Sequence, residues 1–333
     1  MSSSGPDVLV IGAGVSGLTT AVCLAEAGAK VQMAAATPPA QTTSAAAGAI
    51  WGPHLIGMDD RVASWADVTL ARLLELSTEP AAAVRTLTGR QASRGPEGPP
   101  DWVTSLAGFR LCAGGELPAG FVTGWRFAAP VITMPAYLAY LETRFRDTGG
   151  QAGETRNLKF GSLQEAASWA STASVIVNCA GIGAYDLVSD LELLPVRGQV
   201  VVAANPGITE FFIGLGDESA DLSYIFPHGD TVVLGGTEGR GDWRLEPDPV
   251  TADRILRDCT AIEPSLRGAE ILAHRVGLRP VRPKVRLEAG RLAGGQTVVH
   301  NYGHGGAGVS LSWGCAADAA GLAMAALGAR PRR

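Results

Sequence analysis

Asp7-Val-Leu-Val-Ile-Gly-Ala-Gly-Val-Ser-Gly17 decides the fold of this 333-residue chain. The β-branched and leucine run Val8 to Ile11 stops at glycine, which marks a short buried parallel strand. Beyond the glycines, Leu18, Ala21, Val22 and Ala25 recur at the spacing of one helical face, and Gly28 follows as a C-terminal cap. Lys30 to Met33 then reads as a second strand. Strand, glycine turn, helix and strand in this order define a βαβ dinucleotide-binding unit. Gly12 permits the tight turn, Gly14 lets a pyrophosphate approach the backbone, and Gly17 lets helix and strand pack closely. The helix N-terminus offers its free N–H groups to that anion. No acidic residue stands near Ala34 to Ala36 to grip a ribose hydroxyl, and no arginine to meet a 2′-phosphate. Either backbone groups hold that ribose, or adenosine binds more loosely than usual.

Working outward, Thr42-Thr-Ser-Ala-Ala-Ala-Gly-Ala-Ile-Trp-Gly-Pro53 is made of small residues that would let a flat ring lie against backbone. Taken alone it reads as a surface loop. Helices are expected over 64–76 and 134–146, a proline- and glycine-rich connection near 95–100, and a buried strand over Val175 to Gly181, ending at that glycine, that rejoins the first sheet. Between residues 195 and 236 four strands follow without helices: Gln199 to Ala203, Phe211 to Ile213, Tyr224 to Phe226 and Thr231 to Leu234. That pattern predicts an antiparallel meander. Asp242-Trp243 and Glu246-Pro-Asp248 read as a solvated turn. Val298-Val-His-Asn-Tyr-Gly-His-Gly-Gly-Ala-Gly308 repeats the opening logic and leads into a helix expected from Val309. A second positive helix end suits a second electron-rich group, such as the pyrimidine edge of a reduced flavin.

The fold class is therefore α/β with α+β. A discontinuous Rossmann-like domain (1–55, 140–194 and 272–333) is interrupted by a mixed or antiparallel sheet domain (56–139 and 195–271) that roofs a pocket. Composition agrees. The chain is 46% apolar and 18% charged, the balance of a globular protein, and two domains suit its length. A net charge of −5 without a basic stripe speaks against nucleic acid and against a polybasic membrane anchor. No uncharged run reaches about 18 strongly apolar residues. Lysine occurs only at Lys30, Lys159 and Lys284, and the arginine bias fits a GC-rich, bacterial coding sequence. The five cysteines never form a Cys-x-x-Cys pair, so reduced thiols and a cytoplasmic enzyme are expected. His300 and His304 are split by glycines, so no metal site is expected.

The segment 298–308 with Gly314-Cys-Ala316, Arg279-Pro-Val-Arg-Pro283, Val175 to Gly181 and Arg197-Gly-Gln199 resembles the D-amino-acid oxidase family of FAD enzymes over nearly the whole chain. The resemblance implies oxidation of a D-amino acid by transfer of its Cα hydrogen as hydride to flavin N5. Hydrolysis then gives a 2-oxo acid and ammonia, and dioxygen becomes hydrogen peroxide. It assigns Arg279 as clamp of the substrate carboxylate, Tyr224 as a further hydroxyl donor, and the Gly306 carbonyl as acceptor for the amino group. For FAD it implies Gly12, Ala13, Gly14, Val15, Ser16 and Gly17 at the pyrophosphate turn, with Thr43 and Ser44 beside it. Gly48, Ala49 and Ile50 would run along the ring, and Gly305, Gly306, Ala307, Gly308, Val309, Ser310 and Leu311 at the pyrimidine end. His54 and Ala307 stand where vertebrate members carry tyrosines, and Ala220 stands in a lid that looks shorter, so side-chain preference does not carry over. Three readings follow: an oxidase of neutral or basic D-amino acids; a D-aspartate oxidase, for which Arg240, Arg244 or His54 would supply a further cation; and a non-catalytic flavin- or NAD-binding protein. Substrate and O2 are the expected partners, and a homodimer is left open.

Overall fold

The computed structural model describes residues 5–148, 151–215 and 222–328. Ala220 and most of the lid therefore lie outside the described residues. One continuous sheet of fourteen strands carries the chain. Its strands are β1 (Val8–Ile11), β2 (Val31–Ala35), β3 (Val84–Ser93), β4 (Arg110–Leu111), β5 (Thr123–Ile132), β6 (Gln151–Asn157) and β7 (Val175–Asn178). They continue as β8 (Leu194–Ala204), β9 (Phe211–Leu215), β10 (Ser223–His228), β11 (Thr231–Gly235), β12 (Gly239–Arg240), β13 (Ile271–Arg291) and β14 (Thr297–His304). The order is β4-β5-β3-β9-β10-β11-β8-β13-β14-β7-β1-β2-β6, with β12 beside β8.

The end that holds the opening motif is parallel: β14, β7, β1, β2 and β6 run side by side in one direction. Val8–Ile11 and Val175–Asn178 are buried on both faces, as apolar strands covered by helices must be. On one side lie the helices Val15–Glu26 and Ser312–Gly328, the latter rich in alanine and glycine. Small residues allow close approach: a Cβ at Gly314 would strike the backbone of Trp65 in the helix Asp60–Leu76. That helix is further fixed by Trp65 Nε1–H donating to Asp318 (2.8 Å) and by Thr69 Oγ1 accepting from Gly314 N–H (3.0 Å). It thus packs on the nucleotide-binding half, although its sequence position falls in the segment expected to belong to the other.

The second half is mixed. β9, β10 and β11 form the expected meander, and β8 joins it through β11 rather than through its sequence neighbour β9. Two ten-residue strands, β3 and β5, extend this sheet, β3 pairing parallel with β9. The two halves meet in β13. Its first part, Ile271 to Val281, pairs with β8, and its second, Arg286 to Arg291, pairs with β14. Pro280 sits opposite Pro195, a pairing of two residues that have no N–H to contribute, so the proline-rich stretch stays in the sheet.

Candidate active site

A cavity of about 750 Å³ runs from the first glycine turn to the face of β10 and β13. Its size is that of a cofactor pocket with room for a small substrate. At one end, Gly12 has φ +110° and a Cβ there would strike the Cys179 carbonyl; a Cβ at Gly17 would strike the Gly12 carbonyl. Only glycine satisfies both positions. The helix Val15–Glu26 starts with no acidic residue in its first turn and no side-chain cap on Gly14, so its positive end faces the cavity. Val15 N–H donates to Ser44 Oγ (3.0 Å), which draws the 42–53 segment over that end. These unbalanced donors fit a pyrophosphate. The wall beyond β2 is Ala35, Ala36 and Thr37, so no carboxylate meets an adenosine there.

The reading of 42–53 as a surface loop is corrected by its anchors. It forms a short helical turn, Thr43–Ala46, and lines the cavity. Thr43 Oγ1 accepts from Leu278 N–H (3.3 Å), and Gly52 N–H donates to Ser310 Oγ (3.0 Å). His228 Nε2 lies 3.0 Å from the Gly48 carbonyl, and burial pushes this imidazole down to about 4, so it is neutral at pH 7. The expected helix start at Val309 is also displaced. Turns occupy residues 305–306 and 308–311, and the helix begins at Ser312.

Of the residues expected at a flavin, Gly12, Ala13, Gly14, Val15, Ser16, Thr43, Ser44, Gly48, Ala49, Ile50, Gly305, Gly306, Gly308, Val309 and Ser310 line the cavity. Gly17, Ala307 and Leu311 do not; Ala307 and Leu311 point into the core and are fully buried. His304 also lines it, 3.1 Å from Asn301 Oδ1, and burial pushes it down to about 4. Among the described residues no cluster of histidine, cysteine and carboxylate could hold a metal, and the five cysteines are free.

Arg279, Tyr224, Gly306 and His54 converge at the far end of the same cavity. Arg279 lies flat over Gly198, where a Cβ would come within 2.6 Å of Nη2. Its Nη1 donates to the Thr237 carbonyl (2.7 Å). Tyr224 stacks on Phe226 at 4.5 Å and reaches the Arg279 guanidinium with its hydroxyl. Burial raises the Tyr224 pKa, although Arg279 opposes the rise, so the hydroxyl keeps its proton and can donate. Gly235 and Gly236 leave space for that ring. Gly306 lies against His54: a Cβ would come within 2.6 Å of the imidazole Cδ2.

A supporting layer escaped the sequence reading of single residues. Gln199 N–H donates to Thr237 Oγ1 (2.9 Å), Arg197 Nη2 donates to Gln199 Oε1 (2.9 Å), and Arg197 also takes the carbonyls of Arg244 and Glu246. The turn expected to be merely solvated is therefore pinned to β8 by its backbone, and its Trp243 lines the cavity while half exposed. Glu238 was missed altogether. The one signal for it was its position after the glycine pair that closes β11.

A glycine-built cradle for a dinucleotide that ends at a half-buried arginine and a buried tyrosine defines a cofactor-dependent oxidoreductase. The FAD dependent oxidoreductase family model matches residues 7–322, and the chain belongs to that family. It is similar to a D-amino-acid oxidase of Rubrobacter xylanophilus, with 48% identity over 96% of each chain. It is also similar to the human D-aspartate oxidase, with 35% identity over 95% of this chain and 94% of that one. Among solved structures, a glycine oxidase of Bacillus cereus shares the fold with a TM-score of 0.78 at 19% identity, covering 96% of this chain and 97% of that chain. The cofactor is FAD, and the cavity fits it on the chain's own terms: a helix end without a side-chain cap on Gly14, and glycine- and alanine-lined walls. Among the described residues no helix is long and apolar enough to cross a membrane.

Proposed function

We propose that the protein oxidises neutral or basic D-amino acids to imino acids, which hydrolyse to 2-oxo acids and ammonia while dioxygen is reduced to hydrogen peroxide. The observation that carries this reading is that Arg279 and Tyr224, in contact with each other, line the same cavity as Gly306 and the first glycine turn. Bound FAD supplies the acceptor for two electrons. The chain supplies position. The guanidinium, with one donor committed to Thr237, holds the substrate carboxylate with its remaining fork, and the protonated Tyr224 hydroxyl adds a second donor. The Gly306 carbonyl accepts from the amino group, and His54 closes the wall behind it. With three points fixed, only one hand of amino acid turns its Cα–H toward the ring. On the cofactor side, Ala13 to Ser16, Thr43 and Ser44 take the pyrophosphate; Gly48 to Ile50 flank the ring; and Gly305, Gly306 and Gly308 to Ser310 serve its pyrimidine end.

D-Aspartate as the main substrate would need a second cation in the pocket. Arg240 and Arg244 have side chains 58% and 74% exposed, and Arg244 is held by Asp242 at 2.7 Å. His54 is engaged with Glu238 at 3.2 Å. A non-catalytic protein would leave the Arg279 fork and the Tyr224 hydroxyl without purpose. In this proposal residues 1–55, 140–194 and 272–333 serve the cofactor and 56–139 and 195–271 the substrate, with the enzyme in the cytoplasm and a homodimer to be checked by sedimentation. The decisive test is peroxide production by the purified yellow protein on D- and L-amino acids, with D-aspartate included. D-alanine, D-leucine or D-lysine active and their L-forms inert is the expected pattern. Peroxide from L-forms, or from none, rejects it.

A further inference from the structure

Glu238 is a carboxylate buried in the wall of the substrate cavity, its side chain 7% exposed. It stands one residue beyond Thr237, whose carbonyl anchors Arg279. Its Oε1 lies 3.2 Å from His54 Nε2, and His54 in turn packs on Gly306. Its Oε2 lies 3.9 Å from Arg240 Nη2 on the solvent side. Burial pushes its carboxyl upward, but the His54 hydrogen bond and the charges of His54, Arg279 and Arg240 outweigh that and hold it below the ordinary value. Glu238 therefore carries its negative charge at neutral pH. Positioning an imidazole requires only an acceptor, which a backbone carbonyl or an amide supplies without burying a charge. A charge in a cavity wall acts also on whatever enters the cavity, because screening there is weaker than in bulk water.

From this geometry we infer that Glu238 is the specificity-determining residue of the pocket, favouring D-amino acids whose side chains end in a cation or a hydrogen-bond donor and rejecting those that end in a carboxylate. This rests on the oxidase reading for its substrates, but not for its electrostatics. Once Arg279 and Gly306 fix the α-carboxylate and the amino group, the substrate side chain must run along the wall that remains, where Glu238 sits. Discrimination then arises from repulsion as much as from attraction.

The test compares pairs of substrates with and without the terminal group, or with it exchanged, in the holoenzyme and in Glu238→Gln. The kcat/KM ratio of D-lysine to D-norleucine, and of D-asparagine to D-aspartate, should each exceed unity in the parent. Both ratios should fall by about tenfold in the variant, the worth of one charge-assisted hydrogen bond. A second arm needs no turnover: Kd values of 6-aminohexanoate, hexanoate and adipate, read from the flavin absorbance, should rise in that order in the parent and converge in the variant. Ratios that stay within about twofold, or a variant that loses all substrates equally, overturn the assignment. So does a parent that binds adipate as well as 6-aminohexanoate, a result that requires no folded variant. Peroxide from no D-amino acid rejects the oxidase reading, and the ligand arm still decides for or against Glu238.

Discussion

The two ends of the cavity are built from different materials. At the cofactor end the contacts are backbone: an uncapped helix terminus, glycines whose Cβ would strike a neighbour, and small residues between them. At the end proposed for the substrate the wall is made mostly of side chains delivered from separate strands and loops, Tyr224 from β10, Arg279 from β13, Glu238 between β11 and β12, and His54 from a loop. Backbone contacts recognise what all members of a cofactor class share. Side-chain contacts can be exchanged one at a time, and so they set which substrate enters.

Damage to the two ends should therefore separate. Arg279→Ala should cost about 3 to 5 kcal/mol in kcat/KM for D-alanine, as removal of one partner of a buried charge pair does, while the protein stays yellow. Steady-state kinetics and the flavin spectrum together check this; near-normal turnover, or loss of colour, breaks the comparison. Next in size is a pH effect at the seam between the ends. His304 is depressed from 6.5 to about 4 by burial, so its neutral form stabilises the fold above pH 6.5 and that contribution is lost as pH falls toward 4. The loss amounts to about 3 kcal/mol over that window. Urea unfolding across it should show the decline, and His304→Gln should lessen the slope by its own share, since burial depresses His228 and His300 to about 4 as well; an unchanged slope in the variant refutes the burial account.

At the cofactor end, Gly17→Ala should destabilise the protein by about 2 kcal/mol, because the added methyl meets the Gly12 carbonyl and helix and strand must part. Thermal unfolding and the ratio of flavin to protein measure it, and substrate KM in the fraction that retains flavin should change little. The smallest effect is expected from Tyr224→Phe. Loss of one donor to a carboxylate that Arg279 still holds should raise KM by about tenfold, roughly 1.5 kcal/mol. A larger fall in kcat than in KM binding would mean that the hydroxyl acts on the reacting centre instead.

The same contrast explains what could be read from the sequence. The turn at Gly12 to Gly17 was legible because backbone geometry admits only glycine there, and its flanking strand and helix have clean periods. β3 and β5 were not legible. Val84-Arg-Thr-Leu-Thr-Gly-Arg-Gln-Ala-Ser is exposed at its centre and buried at its end, so no single alternation runs through it. β13 hid behind its prolines, which punctuate a sequence but sit harmlessly where the partner strand also lacks a donor. Arg279 and Tyr224 were placed by family resemblance, since nothing local distinguishes them from surface residues. Glu238 had only the glycine pair before it as a signal, because its partner His54 is far away in the sequence and meets it only in the fold.

β13 gives the molecule one further property. Its 21 residues are hydrogen-bonded to the substrate sheet along one stretch and to the nucleotide sheet along the other, and Arg279 lies within it. The strand behaves as a beam clamped at both ends, so the gap between the anchored acid group and the flavin seat is a fixed length rather than the outcome of a swinging joint. Traffic through the pocket must then be handled by local rearrangement at its rim, with the frame itself standing still.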